Sequence, residues 1–155
     1  MKISKVEVDY RKRSIRITVQ RRSLELPFSK LTNQPRKNDK ITKIFIDPEL
    51  GNEAVTYFLE SGTEDSVPID AFLDFNRDPD YLRKLFLFEL TVKAQSALRK
   101  SRLAKNTVCR RLKTSPSQLA RLLDQTNYRK SVDKMLDLLA VLGVNVKPRF
   151  EKDVA

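Results

Sequence analysis

The segment LKTSPSQLARLL (Leu112–Leu123) carries two side chains with paired hydrogen-bonding groups on a short, Leu-rich run. A Gln amide such as Gln118 can bond bidentately to adenine, and an Arg guanidinium such as Arg121 can bond bidentately to guanine. Ser115 and Ser117 precede them, and small polar side chains allow close approach to a groove. The residue types therefore predict recognition of base edges in duplex DNA.

Two predicted helices position these side chains. Ser115 is a good N-cap, Pro116 suits the first helical position, and Gln118 stands three residues after the cap, so a helix is expected over Pro116–Leu123. A preceding helix over Leu103–Leu112 and a turn of two or three residues complete the spacing of a helix–turn–helix. In that motif the second helix enters the major groove and the first crosses the backbone. A small helical bundle without DNA contacts has the same spacing.

The predicted DNA contacts come from nine polar residues in and around this motif. Gln118 and Arg121 would read bases, and the flanking cations would touch phosphates. The set is Lys105, Lys113, Ser115, Ser117, Gln118, Arg121, Asn127, Arg129 and Lys130.

Charge is distributed unevenly along the chain. The net charge of +11 lies entirely within residues 81–155, and Lys93–Lys130 holds 11 basic residues against one acid, Asp124. Such a patch is typical of proteins that bind nucleic acid. A solvated basic surface is the other interpretation, although such surfaces normally mix in acids.

The segment Ser101–Val146 resembles the Cro/C1-type repressor helix–turn–helix, in its antitoxin-like branch. The resemblance rests on the paired leucines Leu122 and Leu123, the polar loop that follows them, and the capped run Met135–Val144. It implies a five-helix fold that binds a specific duplex sequence, usually as a dimer. Lys113 stands where the family often has Gly, and Ala104-Lys105 where it often has Thr-Gln. Residues 3–76 resemble a small bacterial β-rich domain of unknown function.

The predicted fold class is α+β, with an N-terminal antiparallel β-sheet domain (1–76) followed by an all-α helix–turn–helix domain (77–155). Period-two alternation predicts hairpins over residues 3–28. Further strands are predicted at Ile41–Ile46, ended by Asp47-Pro48, and at Ala54–Leu59, ended by Ser61-Gly62. Pro68–Phe75 is predicted to form a short helix or turn. The remaining predicted elements are helices over Tyr81 to about Ser101 and Val132–Leu142, and a short strand over Val144–Lys147.

The stretch LFLFEL (Leu85–Leu90) is apolar almost all round. A helix of this kind is expected to be buried on more than one side, either between the two domains or in a dimer interface.

The N-terminal half is neutral but segregated by sign. Arg11–Lys43 holds 11 basic residues and two acids, whereas Ile44–Asp80 holds one basic residue and ten acids. Mutual compensation inside one domain is expected. A second polyanion contact or an oligomer interface is the alternative.

Several classes of site are disfavoured by composition. The absence of His removes His-based catalytic triads and His-containing zinc sites, and the single Cys109 is expected to be a core thiol rather than a redox switch. The clustered aspartates lack the spacing of a calcium loop, so no metal or cofactor is expected. No apolar run approaches 18 residues and no signal peptide is evident, so a cytoplasmic protein without membrane contact is expected.

These patterns lead to three hypotheses of function. The first is a transcriptional regulator that binds double-stranded DNA as a homodimer, with the sheet domain used for dimerisation, partner binding or sensing. The second is an antitoxin-type module that neutralises a partner protein, suggested by LFLFEL. An enzyme such as a nuclease is disfavoured, because no spacing of carboxylates and Lys singles out a site.

Overall fold

A computed structural model describes residues 1–152, so the last three positions of the predicted 77–155 domain lie outside the described residues. The α+β class is confirmed, because two three-stranded antiparallel sheets accompany five α-helices. The chain divides into two compact units, Met1–Leu82 and a second that begins at Arg83. This division falls six residues after the boundary that the sequence predicts.

The first unit begins with the predicted meander of hairpins. Strands β1 (Ile3–Asp9), β2 (Ser14–Val19) and β3 (Arg22–Pro27) pair in chain order. Alternation along β2 turns Ile15, Ile17 and Val19 inward, and all three side chains are fully buried. The period-two pattern therefore reports the buried face of this sheet correctly.

The second sheet departs from the sequence prediction. Strands β4 (Ile41–Ile46) and β5 (Ala54–Leu59) have the predicted bounds, but they pair with a sixth strand, β6 (Glu64–Pro68), in a separate sheet. The expectation of one sheet is wrong. Strand β6 was missed because it lies at a sheet edge and buries only Val67, so its sequence shows no apolar alternation.

Helix α1 (Ile69–Phe75) closes the core of the first unit, as the sequence predicts. Fully buried Phe72 belongs to the same apolar cluster as Ile15, Ile17 and Tyr57, so one core serves both sheets. Burial of these large side chains is the main favourable contribution to the folding of the unit.

The expected charge compensation is seen in part. Arg22 Nη1 lies 2.5 Å from Asp78 Oδ2, an ion pair that joins the basic and acidic segments. Asp78 Oδ1 also accepts a hydrogen bond from the Tyr81 N–H at the start of the next helix. The Tyr81 amide and Arg22 together hold the pKa of Asp78 below its usual value. Arg16 instead pairs with Glu25 inside its own basic segment.

The second unit is built from four helices among the described residues. They are α2 (Pro79–Lys100, which starts in the first unit), α3 (Lys105–Leu112), α4 (Pro116–Leu122) and α5 (Val132–Val141). All four contribute to a separate apolar core, with Leu87, Val108, Leu119 and Leu138 as members. The resemblance implied five helices, so the described part of this unit has one fewer.

The predicted strand over Val144–Lys147 is wrong, because these residues have no regular structure. The Val144 N–H instead donates to the Leu139 carbonyl (2.8 Å), and the Gly143 N–H donates to that of Ala140 (3.0 Å). This pair of bonds is a Schellman motif that ends α5, with Gly143 in the left-handed conformation.

Within a single chain, helix α2 buries only one side of LFLFEL, and the expected dimer interface stays a prediction. The helix buries Leu87 and Leu90 in the core of the second unit, but Leu85, Phe86 and Phe88 remain exposed, Phe86 by 41%. The segment is therefore apolar on all sides of the helix, but only one of those sides is buried within the chain. Within residues 1–152 no helix combines the length and apolar character needed to span a membrane.

Several turns place residues other than glycine in left-handed backbone. The two-residue connection between β2 and β3 consists of Gln20 (φ 47°) and Arg21 (φ 67°), with Val19 paired to Arg22 across it. Hairpin turns with two positive φ values usually carry Asn-Gly, because a Cβ in this conformation costs about 1–2 kcal/mol.

Substitution Arg21→Gly should stabilise the first unit by about 1 kcal/mol, since glycine removes the Cβ clash at positive φ. Urea unfolding of the full chain, followed by amide exchange of β2, measures the change. Lys12→Gly is the control, because Lys12 is also exposed in a hairpin connection but lacks positive φ. An equal effect of both substitutions would show that the turn is unstrained.

Candidate nucleic-acid interface

The turn between α3 and α4 is fixed by a second Schellman motif. The Thr114 N–H donates to the Cys109 carbonyl (2.9 Å), and the Lys113 N–H donates to that of Arg110 (3.2 Å). Lys113 takes the left-handed position (φ 55°, ψ 46°) that Gly143 occupies in the other such motif. A Lys in place of the usual glycine is therefore tolerated at a cost of about 1 kcal/mol, and its ammonium is exposed beside α4.

Helix α4 begins as the sequence predicts. Ser115 is extended and its Oγ accepts a hydrogen bond from the Gln118 N–H (3.2 Å), with Pro116 at the first helical position. The cap and the preceding motif together determine where α4 starts, and so which of its residues point outward.

The outer face of α4 is polar and accessible. Ser117, Gln118 and Arg121 are exposed, and their spacing puts them side by side on one face. The other face buries Leu119 and Leu122 in the core of the second unit. An α-helix with its side chains is about 10–12 Å across, so α4 fits a major groove about 12 Å wide.

Side chains satisfy three successive carbonyl oxygens at the C-terminal end of α4. Asn127 Nδ2 donates to the Arg121 carbonyl (3.1 Å), Lys130 Nζ to that of Leu122 (2.8 Å), and Gln95 Nε2 to that of Leu123 (2.7 Å). The Arg121 carbonyl also accepts a hydrogen bond from the Asp124 N–H (3.4 Å). A cation is favoured at this end of the helix by the helix dipole. The donors hold α4 from loop 124–130 and from α2.

These bonds give Lys130 a structural role, which argues against the predicted contact with a phosphate. Only 9% of its surface is exposed, and Nζ also donates to the Asp124 carbonyl (2.7 Å). Burial lowers the pKa of Lys130, and the charge of Asp124 partly opposes that shift. Its ammonium is committed to main-chain oxygens, whereas the adjacent Arg129 side chain is exposed.

A groove of about 610 Å³ runs beside α4 and is lined by four of the eight remaining candidates. Gln118, Arg121, Asn127 and Arg129 line it, together with Asp124. Hydrogen bonds from the backbone N–H and then the hydroxyl of Thr126 hold the pKa of Asp124 below its usual value. Asp124 therefore stays ionised and shapes the loop, while the cations face outward.

The structure brings the predicted site residues together to different degrees. Six of the nine hold exposed positions in α4 or in the turn and loop that flank it: Lys113, Ser115, Ser117, Gln118, Arg121 and Arg129. Lys105 is exposed at the start of α3 and lines a different groove. Asn127 is half-buried, with Nδ2 bonded to Arg121 and Oδ1 accepting from the Arg129 N–H (3.1 Å). Its amide is occupied by the loop, so it positions its neighbours rather than reading a base.

Sequence reasoning missed one residue that supports the site. Gln95 lies in the middle of α2, donates to the end of α4, and accepts a bond from Gln125 Nε2 (2.7 Å). No local pattern indicates this role, because its partners are about 30 residues away. Asp124 and Thr126 could have been found, since Asp followed two residues later by Thr is typical of an Asx turn.

Other candidate chemistry in this unit is weak. Cys109 is buried in the core, as predicted. No group of three or more Cys, Asp or Glu side chains among residues 1–152 is placed to hold a metal ion. Among the described residues of the second unit, the exposed polar face of α4 is therefore the best candidate for a functional site.

Comparisons with protein-family models, with curated proteins and with solved structures find no match to this chain. The resemblance to Cro/C1-type domains therefore stays a prediction, and the functional argument depends on the geometry.

Lys130→Ala should lower the free energy of unfolding of the second unit by about 1–3 kcal/mol, because two buried carbonyl oxygens lose their donor. Urea titration followed by helical ellipticity measures this change. Arg129→Ala is the matched control and should change stability by less than about 0.5 kcal/mol, since its side chain is exposed. Similar losses in the two variants would contradict a structural role specific to Lys130.

Proposed function

We propose that this chain is a DNA-binding transcriptional regulator whose helix α4 enters the major groove. The observation that carries the proposal is the exposed pair Gln118 and Arg121 on a capped, anchored helix within a strongly basic segment. Base readout needs hydrogen-bonding groups that protrude from a rigid element, and α4 meets both conditions.

Under this proposal, Gln118 pairs with adenine and Arg121 with guanine, while Ser115 and Ser117 leave room for close approach. Lys105, Lys113 and Arg129 contact phosphates on either side of the groove. Phosphate contacts supply much of the affinity and fix the register, whereas base contacts supply the selectivity.

The cations of the site make the proposed binding sensitive to salt. Neutralising about three phosphates gives a slope near −2.7 in log affinity against log salt, so affinity falls roughly 40-fold between 50 and 200 mM salt. None of these cations is held in an ion pair with a carboxylate among residues 1–152, so they are available to phosphates.

Selection from a genomic duplex library, followed by anisotropy titrations, tests this function. Arg121→Ala should weaken binding to the selected duplex by about 1–3 kcal/mol and hardly change binding to a scrambled duplex. Lys105→Ala should weaken both duplexes about equally, because a phosphate contact carries no sequence information.

The control is Lys2→Ala, which removes one exposed charge from the other unit and should leave both affinities unchanged. Failure of the wild-type chain to retain any duplex at low salt would overturn the proposal. Unchanged selectivity in Arg121→Ala would overturn the assignment of α4 as the reading helix.

We also propose that the regulator pairs with a second copy through α2. The exposed apolar residues of α2 are Leu82, Leu85, Phe86, Phe88 and Val92. An antiparallel pairing of two copies of α2 would remove much of this apolar surface from water. Aromatic side chains are enriched in interfaces of this kind. The half-sites on DNA would then lie about 34–36 Å apart.

Light scattering of the full chain tests the pairing. The wild-type chain should be dimeric at micromolar concentration, and Phe86→Glu should make it monomeric with unchanged ellipticity, because a charge would be buried in the interface. Lys134→Glu, a charge change at an exposed site on α5, is the control. A monomeric wild-type chain would overturn pairing through α2 and favour the antitoxin-type alternative, in which this face binds a different protein.

A further inference from the structure

The first unit contains a cavity of about 500 Å³ that the proposed DNA-binding function does not use. It opens between the β1–β2 hairpin and the loop before β4. Its size falls in the range of sites for drug-sized ligands and cofactors. The groups around it are of two kinds, aromatic rings and cations.

Tyr10 and Phe28 form the aromatic wall. Their ring centroids lie 6.3 Å apart at an interplanar angle of 76°, and the Tyr10 hydroxyl donates to the Ile41 carbonyl (2.9 Å). Burial, followed by the charge of Glu60, raises the pKa of Tyr10, so the hydroxyl remains a donor at neutral pH. The Phe28 ring and the Ile41 carbonyl thus fix the position of the Tyr10 ring, yet 51% of the residue is exposed. A planar group can stack on such a ring without reorganising it.

Five cations surround these rings. They are Arg11, Arg13, Arg36, Lys37 and Lys40. All five are exposed, and among residues 1–152 none lies within ion-pair distance of a carboxylate. No acid lines the cavity. This differs from β2 and β3, where Arg16 and Arg22 both have carboxylate partners.

The backbone beneath the cations is already fixed. Asp9 Oδ1 accepts hydrogen bonds from the N–H groups of Arg11 and Lys12 (3.0 Å each), and the Phe28 N–H donates to the Arg13 carbonyl (2.8 Å). Arg36 and Asp39 exchange two backbone hydrogen bonds (2.9 and 3.1 Å), so Lys37 lies at the tip of a tight turn. Because the backbone is already ordered, the binding of an anion would restrict only the side chains of these cations.

We propose that this cavity binds a nucleotide, with the base stacked on the Tyr10 ring and the phosphates among the five cations. A simple anion would use the cations but not the ring, and an uncharged aromatic would use the ring but not the cations. A nucleotide uses both, through base–aromatic stacking and charge-assisted hydrogen bonds from Arg to phosphate. The site would give the first unit a sensory role that does not depend on α4.

Calorimetry on the full chain with ATP, GTP, CTP and UTP tests the proposal, with inorganic triphosphate and the four uncharged nucleosides as comparisons. At least one nucleoside triphosphate should bind about tenfold tighter than inorganic triphosphate, because stacking adds to the ionic contacts. It should also bind tighter than its own nucleoside. Equal affinity for inorganic triphosphate and the best nucleotide would overturn the proposal, as would binding of oligonucleotides alone.

Substitutions of Tyr10 and of the cations test their contributions to nucleotide affinity separately. Tyr10→Ala should weaken the best nucleotide about tenfold and leave inorganic triphosphate unchanged, whereas Tyr10→Phe should keep the nucleotide affinity. Arg36→Gln combined with Lys37→Gln should weaken both ligands. Lys2→Gln is the matched charge control, and it should weaken neither.

Amide exchange of β2 reports whether each variant keeps the core of the first unit. If Tyr10→Ala does not fold, the pair Arg36→Gln and Lys37→Gln still tests the site, because both side chains are exposed. Nucleotide affinity unchanged in that double variant, or unchanged in a folded Tyr10→Ala, would refute the site. These results are independent of the DNA titrations, since the substitutions lie outside the second unit.

Discussion

The carbonyl oxygens at the C-terminal end of α4 set the strongest constraint on the second unit. A helix of seven residues leaves more than half of its carbonyls without an intrahelical partner. The Asn127 amide and the Lys130 ammonium donate to the last two carbonyls of the helix, and the Gln95 amide donates to that of the capping residue Leu123. Without these donors a helix this short would fray, and the outward direction of Gln118 and Arg121 would no longer be defined. The proposed reading face depends on this anchoring more than on any property of the face itself.

Local pattern predicts much of this structure. Alternation in β1–β3 depends on one buried face, and the Ser-Pro start of α4 depends on capping chemistry within four residues, so both are visible in sequence. Strand β6 was not visible, because it buries a single residue. The assignment of strands to two sheets was also beyond local pattern, since hydrogen bonding between distant strands decides it.

The candidate site shows the same limit. Arg129 and Lys130 are adjacent cations that look equivalent in sequence, yet one is exposed and the other binds carbonyls from an earlier helix. That distinction depends on where the loop meets α4, which no window of sequence contains. Leu85–Leu90 is a similar case, because an apolar composition reports what a helix could bury and not how many partners it has. The exposed α2 face is therefore a property that only the tertiary structure reveals.

The chain has only three glycines, and it uses charged residues where a glycine would be easier. Arg13, Arg21, Arg77 and Lys113 all have positive φ. Each such residue costs about 1 kcal/mol relative to glycine, which is a sizeable share of the net stability of a small domain. This fold could therefore be adapted to higher temperature by substitutions in its turns, without any change in either hydrophobic core. Related chains from hotter environments could gain robustness at these bends, but at Lys113 the gain would come with the loss of a cation beside α4.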